Sequence, residues 1–196
     1  VLIAAINGGL ITGIRALGGR AVGLHRPPRP VLYGQPLPLS GPDGQSIDLG
    51  RVGKVTRVDT DLIMSFCAGG VVPVIPSLAL EEHEHHGWLN VNADTAAAAV
   101  AEQLGAEKLV FLSDTPGILL DRQNPASIVS HLNAEGCTDL IRRGIIDTGM
   151  IPKVEACLEA LRGGVKKTHM IDGRLRHSLL LEIYTDQGVG SEITLK

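Results

Sequence analysis

Aromatic side chains are scarce: one Trp, two Tyr and two Phe make up 3% of the 196 residues, too few for a surface on which nucleic-acid bases stack. Basic charge is not in excess either. Lys and Arg number 18 against 21 Asp and Glu, a formal net charge of −3, so the chain lacks the electrostatic footprint of a nucleic-acid binder. The three cysteines, Cys67, Cys137 and Cys157, are odd in number, far apart and without a C-x-x-C pair, which argues against a disulfide framework and against a thiolate zinc site. No apolar run approaches the roughly 20 residues of a membrane-spanning helix. Nor is there a charged segment followed by a hydrophobic stretch and a cleavage site. These absences leave a cytoplasmic protein with reduced thiols and a small-molecule partner as the expectation.

What is present, 44% hydrophobic and 20% charged residues, suits one globular domain with a sizeable core. Apolar positions spaced by threes and fours from Leu2 to Leu17 predict a helix that stops at Gly18-Gly19. Residues 20–24 read as a short strand. Prolines at 27, 28, 30, 36, 38 and 42 remove so many N–H donors that residues 25–42 are expected to hold no helix or central strand. Residues 47–58 alternate as an edge hairpin would, with Asp48-Leu49-Gly50 as its turn. Asp59 or Thr60 is placed to cap a helix through Leu62, Ile63 and Phe66 that closes at Gly69-Gly70. The continuous apolar run 71–75 reads as a strand buried on both faces, kept short by Pro73 and Pro76. Further on, residues 96–104, 127–132, 138–143 and 152–162 read as helices, and 108–112, 168–172 and 191–195 as strands. Helices alternating with strands predict an α/β fold, a three-layer αβα sandwich around a mainly parallel sheet.

Three stretches carry candidate chemistry. In Asn90-Val91-Asn92-Ala93-Asp94-Thr95, short polar side chains alternate where a loop becomes an alanine-rich helix. Either Asn92 or Asp94 suffices as an N-cap, and an extended backbone would set Asn90, Asn92 and Asp94 on one side. Ser113-Asp114-Thr115-Pro116-Gly117-Ile118-Leu119 follows a buried strand at its carboxyl end, where open α/β sheets place ligands. In Gly149-Met150-Ile151-Pro152-Lys153, Pro152 suits a first helical turn, with Val154, Cys157, Leu158 and Leu161 on one face of the helix. Lys153 then sits where a cation opposes the helix dipole, at a cost of roughly 0.3–1 kcal/mol. A fourth stretch, residues 81–87 with His83, His85 and His86, is rich in metal-ligating types. It lacks the i, i+4 helical spacing of a zinc site and reads as a solvated hairpin tip, so no metal site is expected.

Asn90-Val-Asn-Ala-Asp94-Thr, Lys108-Leu-Val-Phe-Leu-Ser-Asp114, Gly149-Met-Ile-Pro-Lys153-Val-Glu-Ala-Cys157 and Ile171-Asp-Gly-Arg174 together resemble the N-acetyl-L-glutamate kinases of the amino acid kinase superfamily. The likeness runs from about Gly19 to Lys196. It implies MgATP-dependent phosphorylation of the γ-carboxylate of N-acetyl-L-glutamate, in arginine biosynthesis, on an αβα fold. By the same resemblance Asn90 would contact acetylglutamate with Asn92 close by, Lys153 would stabilise the transferring phosphoryl group, and Asp94 would orient its surroundings. Ser113, Asp114, Thr115, Pro116, Gly117, Ile118 and Leu119, with Ile145, Ile146, Asp147 and Met150, would hold the nucleotide. His169, Glu182 and Gly188 match positions that line an L-arginine site in the arginine-inhibited branch, and a homo-oligomer is implied.

The chain departs from that pattern at its start. Val1 lies inside a helical pattern, and the strand with a second catalytic lysine, the glycine-rich loops and the substrate-binding arginine of the family would all lie before it. The expectation is therefore a single kinase-like domain shortened at its N-terminus, with residues 1–89 the remainder of the acyl-substrate lobe and 90–196 the nucleotide-binding lobe. Such a fragment is expected to be inactive by itself. The other reading is a non-catalytic module that senses arginine or nucleotide.

Overall fold

The computed structural model describes residues 3–24, 30–40, 46–47, 50–82, 87–185 and 188–196. It divides into two compact units, Val1–Val100 and Ala101–Lys196. In chain order the first holds α1 (Gly8–Ala16), β1 (Ala21–Gly23), β2 (Leu32–Pro36), β3 (Leu39–Ser40), β4 (Ser46–Ile47), β5 (Val52–Val58), α2 (Thr60–Ala68), β6 (Val72–Val74), β7 (Leu78–Glu81), β8 (Trp88–Val91) and the start of α3 (Ala93–Gln103). The second holds β9 (Lys108–Ser113), a 3-10 turn at Pro125–Ser127, β10 (His131–Asn133), α4 (Ala134–Arg142), α5 (Ile151–Arg162), β11 (Lys167–Asp172), α6 (Ser178–Tyr184) and β12 (Ser191–Thr194). Five of the nine ladders among the described residues are parallel, and four are antiparallel. The fold is thus α/β with mixed, mostly parallel sheets. No helix among the described residues is long and apolar enough to cross a membrane.

In the first unit β1 pairs with β6, and β2, β5, β8 and β7 close on themselves as a small barrel. The barrel corrects two expectations. Residues 25–42 do contain a central strand, because β2 pairs with both β5 and β7. The prolines cluster at 27, 28 and 30 and again from 36, so Leu32, Tyr33, Gly34 and Gln35 keep the donors that a ladder needs. Residues 47–58 are not one edge hairpin either: β4 pairs with β3, while β5 joins the barrel between β2 and β8. The run 71–75 is not buried on both faces. Its strand β6 has one partner, β1, among the described residues, and Val72 is 48% exposed. Residues 83–86, with His83, His85 and His86, lie outside the described residues, within the connection of the antiparallel pair β7 and β8.

Helix α2 follows its local sequence closely. The Asp59 carboxylate accepts a hydrogen bond from the Leu62 N–H at 3.0 Å, the expected N-cap. Replacing Asp59 with alanine leaves that donor to water and should cost about 1 kcal/mol, read as a lower denaturant midpoint with an unchanged slope.

The second unit is a four-stranded sheet in the order β10-β12-β11-β9. Helix α5 buries Val154, Ala156, Cys157, Leu158, Ala160 and Leu161, the predicted Val154, Cys157, Leu158 and Leu161 among them. Burial also pushes the Cys137 thiol of α4 up to about 11. Residues 127–132 are not helical. The 3-10 turn ends at Ser127, and His131 to Asn133 pair in parallel with β12. Helix α4 starts earlier than 138 because the Asn133 side chain accepts from the Gly136 N–H at 2.8 Å. Strand β9 is less buried than its composition suggests. It pairs only with β11 among the described residues, and Leu112 is 58% exposed.

Candidate functional site

The carboxyl end of β9 opens into a cavity of about 320 Å³. Its wall comes first from the loop that β9 releases, Asp114 to Leu119. Pro116 and Gly117 lie within this loop, and Gly117 takes φ +142°, a value L side chains rarely adopt. A Cβ there would lie 2.7 Å from the Ser191 hydroxyl. That hydroxyl accepts from the Ile118 N–H at 2.8 Å, so the loop lies directly on β12. Ser113 is the last residue of β9, and its hydroxyl donates to the Asp114 carboxylate at 3.3 Å.

The opposite wall is the turn before α5, contributed by Ile145, Ile146, Asp147 and Met150. Asp147 shapes that turn: its side chain accepts from the Met150 N–H at 2.8 Å, and its carbonyl accepts from the Ile151 N–H at 2.9 Å. Lys153 is half-buried in the first turn of α5, directly after Pro152. The lining therefore includes every nucleotide residue expected from the sequence except Ser113. Arg122 and Pro125 also line the cavity and were missed. Asp121-Arg122-Gln123-Asn124-Pro125 reads as a plain turn, and only the ion pair between Arg122 and Asp147 reveals which way it faces. Apolar groups dominate the walls, with Asp114, Thr115, Arg122 and Asp147 as the polar exceptions. Such a lining suits a flat, partly apolar ligand fixed by a few polar contacts.

Beside β9, at the end of β11, the Arg174 guanidinium clasps Asp172 through two contacts of 2.9 Å. These bonds, with one from the Arg174 backbone N–H, hold the Asp172 carboxyl at about 2.

Asn90, Asn92 and Asp94 belong to the first unit. They do not share an extended face: Asn90 is in β8, which ends at Val91, and the helix begins at Ala93. Asn92 is the cap. Its side-chain oxygen accepts from the N–H groups of Asp94 at 2.9 Å and Thr95 at 3.1 Å. Asp94 lies in the first turn of α3, where a carboxylate favours the helix dipole.

A second pocket, of about 260 Å³, is lined by His169, Glu182 and Gly188 with Lys108, His131, Lys167 and Glu192 among others. Glu182 is its anchor. Its carboxylate meets His169 Nδ1 at 2.7 Å and accepts from the N–H groups of Val189 at 2.7 Å and Gly190 at 3.1 Å. Lys167 pairs with Glu192 at 2.8 Å. Burial opposes ionisation of Glu192, yet the Lys167 ammonium holds its carboxyl below the ordinary range. No group of three or more metal-ligating side chains occurs among the described residues.

The sequence pattern of the Amino acid kinase family matches residues 2–172. The acetylglutamate kinase of Pelotomaculum thermopropionicum is 43% identical over 198 residues, covering 98% of this chain and 66% of that protein. The chain spans 60 to 66% of the length of the curated relatives that it matches, among them further bacterial acetylglutamate kinases. Among solved structures, a Streptococcus mutans protein superposes with a TM-score of 0.79 at 25% identity, covering 100% of this chain and 69% of that one. N-acetylglutamate synthase from Neisseria gonorrhoeae, complexed with coenzyme A and L-arginine, does so with a TM-score of 0.74 at 26% identity, covering 91% and 38%. With its mixed, mostly parallel α/β fold and a family pattern that runs to the end of β11, the chain belongs to the amino acid kinase family.

Proposed function

We propose that this chain carries the nucleotide-binding part of an acetylglutamate kinase, which phosphorylates the γ-carboxylate of N-acetyl-L-glutamate with MgATP. The observation that carries the reading is the cavity between residues 114–119 and the turn at 145–150, with Lys153 in the helix that follows. Residues 90–196 make up the nucleotide lobe in this scheme, and residues 1–89 contribute to the acyl-substrate lobe. The chemistry asks little of the protein beyond alignment. The acceptor is already an anion, so no general base is needed, and catalysis reduces to positioning and to neutralising charge on the phosphoryl oxygens. Lys153 supplies a compact positive charge for the transferring group. Asp94 acts by orientation, and Asn90 and Asn92 contact the acetylglutamate.

The pocket at His169, Glu182 and Gly188 supports L-arginine as a regulator. The synthase that superposes on this chain is complexed with L-arginine. A carboxylate has about four lone-pair sites, and Glu182 accepts from three donors, which leaves about one site, on the oxygen that meets His169, for a guanidinium N–H. The same pocket favours the second reading, an arginine- or nucleotide-sensing module without catalysis.

Calorimetric titration of MgATP into the 196-residue chain, with L-arginine as a second titrant, tests these assignments. Lys153→Ala should weaken MgATP about tenfold, the loss of one charge-assisted contact of about 1.5 kcal/mol. Equal MgATP affinity in parent and variant removes Lys153 from the site. No MgATP uptake by either overturns the nucleotide reading, and heat from L-arginine alone leaves the sensing module.

A further inference from the structure

Arg122 has no part in the chemistry described so far, yet it is the cationic side chain among the residues that line the nucleotide cavity. It pairs with Asp147, which lies on the opposite wall. The segment that presents Arg122 is braced from within. The Ser127 hydroxyl donates to the Asp121 carbonyl at 2.8 Å and accepts from the Asp121 N–H at 3.0 Å, and the Asp121 side chain accepts from the Gln123 N–H at 2.9 Å. Arg122 therefore springs from a defined turn.

Asp147 is where the pair meets helix α5. One carboxylate oxygen takes the Met150 N–H, and the other faces Arg122. Met150 in turn accepts from the N–H groups of Lys153 and Val154, both at 3.1 Å. The first turn of α5 has neither an acidic residue nor a side-chain cap from Met150, and it carries Lys153 against the dipole. Such a turn tends to fray, and the Asp147 carboxylate just ahead of it is the compensating group.

We propose that Arg122 is a positioning residue: by holding Asp147 across the mouth of the cavity, it fixes the first turn of α5 and so places Lys153 against a bound nucleoside triphosphate. This rests on the nucleotide reading given above and adds a residue to it. Asp147→Asn keeps an oxygen for the Met150 N–H and loses only the charge pair, so it should match Arg122→Ala. Arg122→Lys keeps the charge and should recover most of the effect.

Two measurements on the 196-residue chain decide the matter. Amide hydrogen exchange without nucleotide reads the tether itself: Arg122→Ala and Asp147→Asn should each speed exchange at Met150, Ile151 and Lys153. Calorimetry with MgATP reads its consequence. Each variant should bind about three- to fivefold more weakly, the upper range for a partly exposed ion pair, and the double variant should be no weaker than either single one. Unchanged exchange at these amides overturns the proposal, as do additive affinity losses or an Arg122→Lys variant as weak as Arg122→Ala. If the parent chain takes up no MgATP, the nucleotide reading fails and this proposal with it. If the parent binds and the variants bind equally well, the positioning role alone is lost.

Discussion

Replacing Glu182 with alanine is expected to cost the unit Ala101–Lys196 about 3–5 kcal/mol of stability, the range found when one partner of a buried pair is removed. The side chains of Glu182 and His169 are each only 4% exposed. The carboxylate gathers His169 Nδ1 and the N–H groups of Val189 and Gly190, so alanine strands three donors at once, and an unsatisfied buried donor costs about 1–3 kcal/mol. His169 has no reserve, since its Nε2 is already buried without a hydrogen-bond partner. Glu182→Gln should lose less, because one amide oxygen can still accept while its NH₂ must face a donor. Circular dichroism during denaturation is the suitable probe, since the one tryptophan, Trp88, belongs to the other unit. An alanine variant that unfolds with its parent would show that the carboxylate does not hold the turn at Gly188 to Gly190.

What the sequence made legible was mostly local. The Asp59 cap, the buried stripe of α5 and the loop after β9 each depend on residues a few positions apart, where spacing and turn chemistry act directly. The residues expected to hold a nucleotide came from a resemblance carried by short contiguous motifs, and the structure gathers all of them but Ser113 around one cavity. What failed depends on partners distant in sequence. A count of prolines in residues 25–42 hid β2, because the count ignores where the prolines fall, and two distant strands supply its ladders. Residues 131–133 became a strand because β12 pairs with them, 61 positions along the chain. Alternation at Asn90, Asn92 and Asp94 suggested one extended face, but the Asn92 cap starts a helix within it. Arg122 gave no local signal, since an ion pair between loops has no spacing to read.

The barrel of the first unit supplies the other large effect, through a comparison of one chemical change at two positions. Gly34 lies in β2 between β5 and β7, beside a register shift between Tyr33 and Gly34. A Cβ added at Gly34 would stand 2.4 Å from the Lys54 carbonyl oxygen and 3.1 Å from the Ala79 Cβ. The first of these is backbone of a paired strand, and Ala79 is fully buried, so neither can turn aside as a flexible side chain would. Gly34→Ala must therefore spread the barrel, and a cost of about 3 kcal/mol is expected, the upper end of ordinary overpacking. Gly13 offers the opposite case. It is inside α1, where a Cβ would meet nothing within 4 Å, so Gly13→Ala should gain about 0.5–1 kcal/mol from helix propensity alone. Paired denaturation curves with opposite shifts would show that contact, not the loss of glycine's flexibility, governs β2. A Gly34→Ala variant as stable as the parent would mean that β2 and β5 do not approach as closely as their ladder indicates.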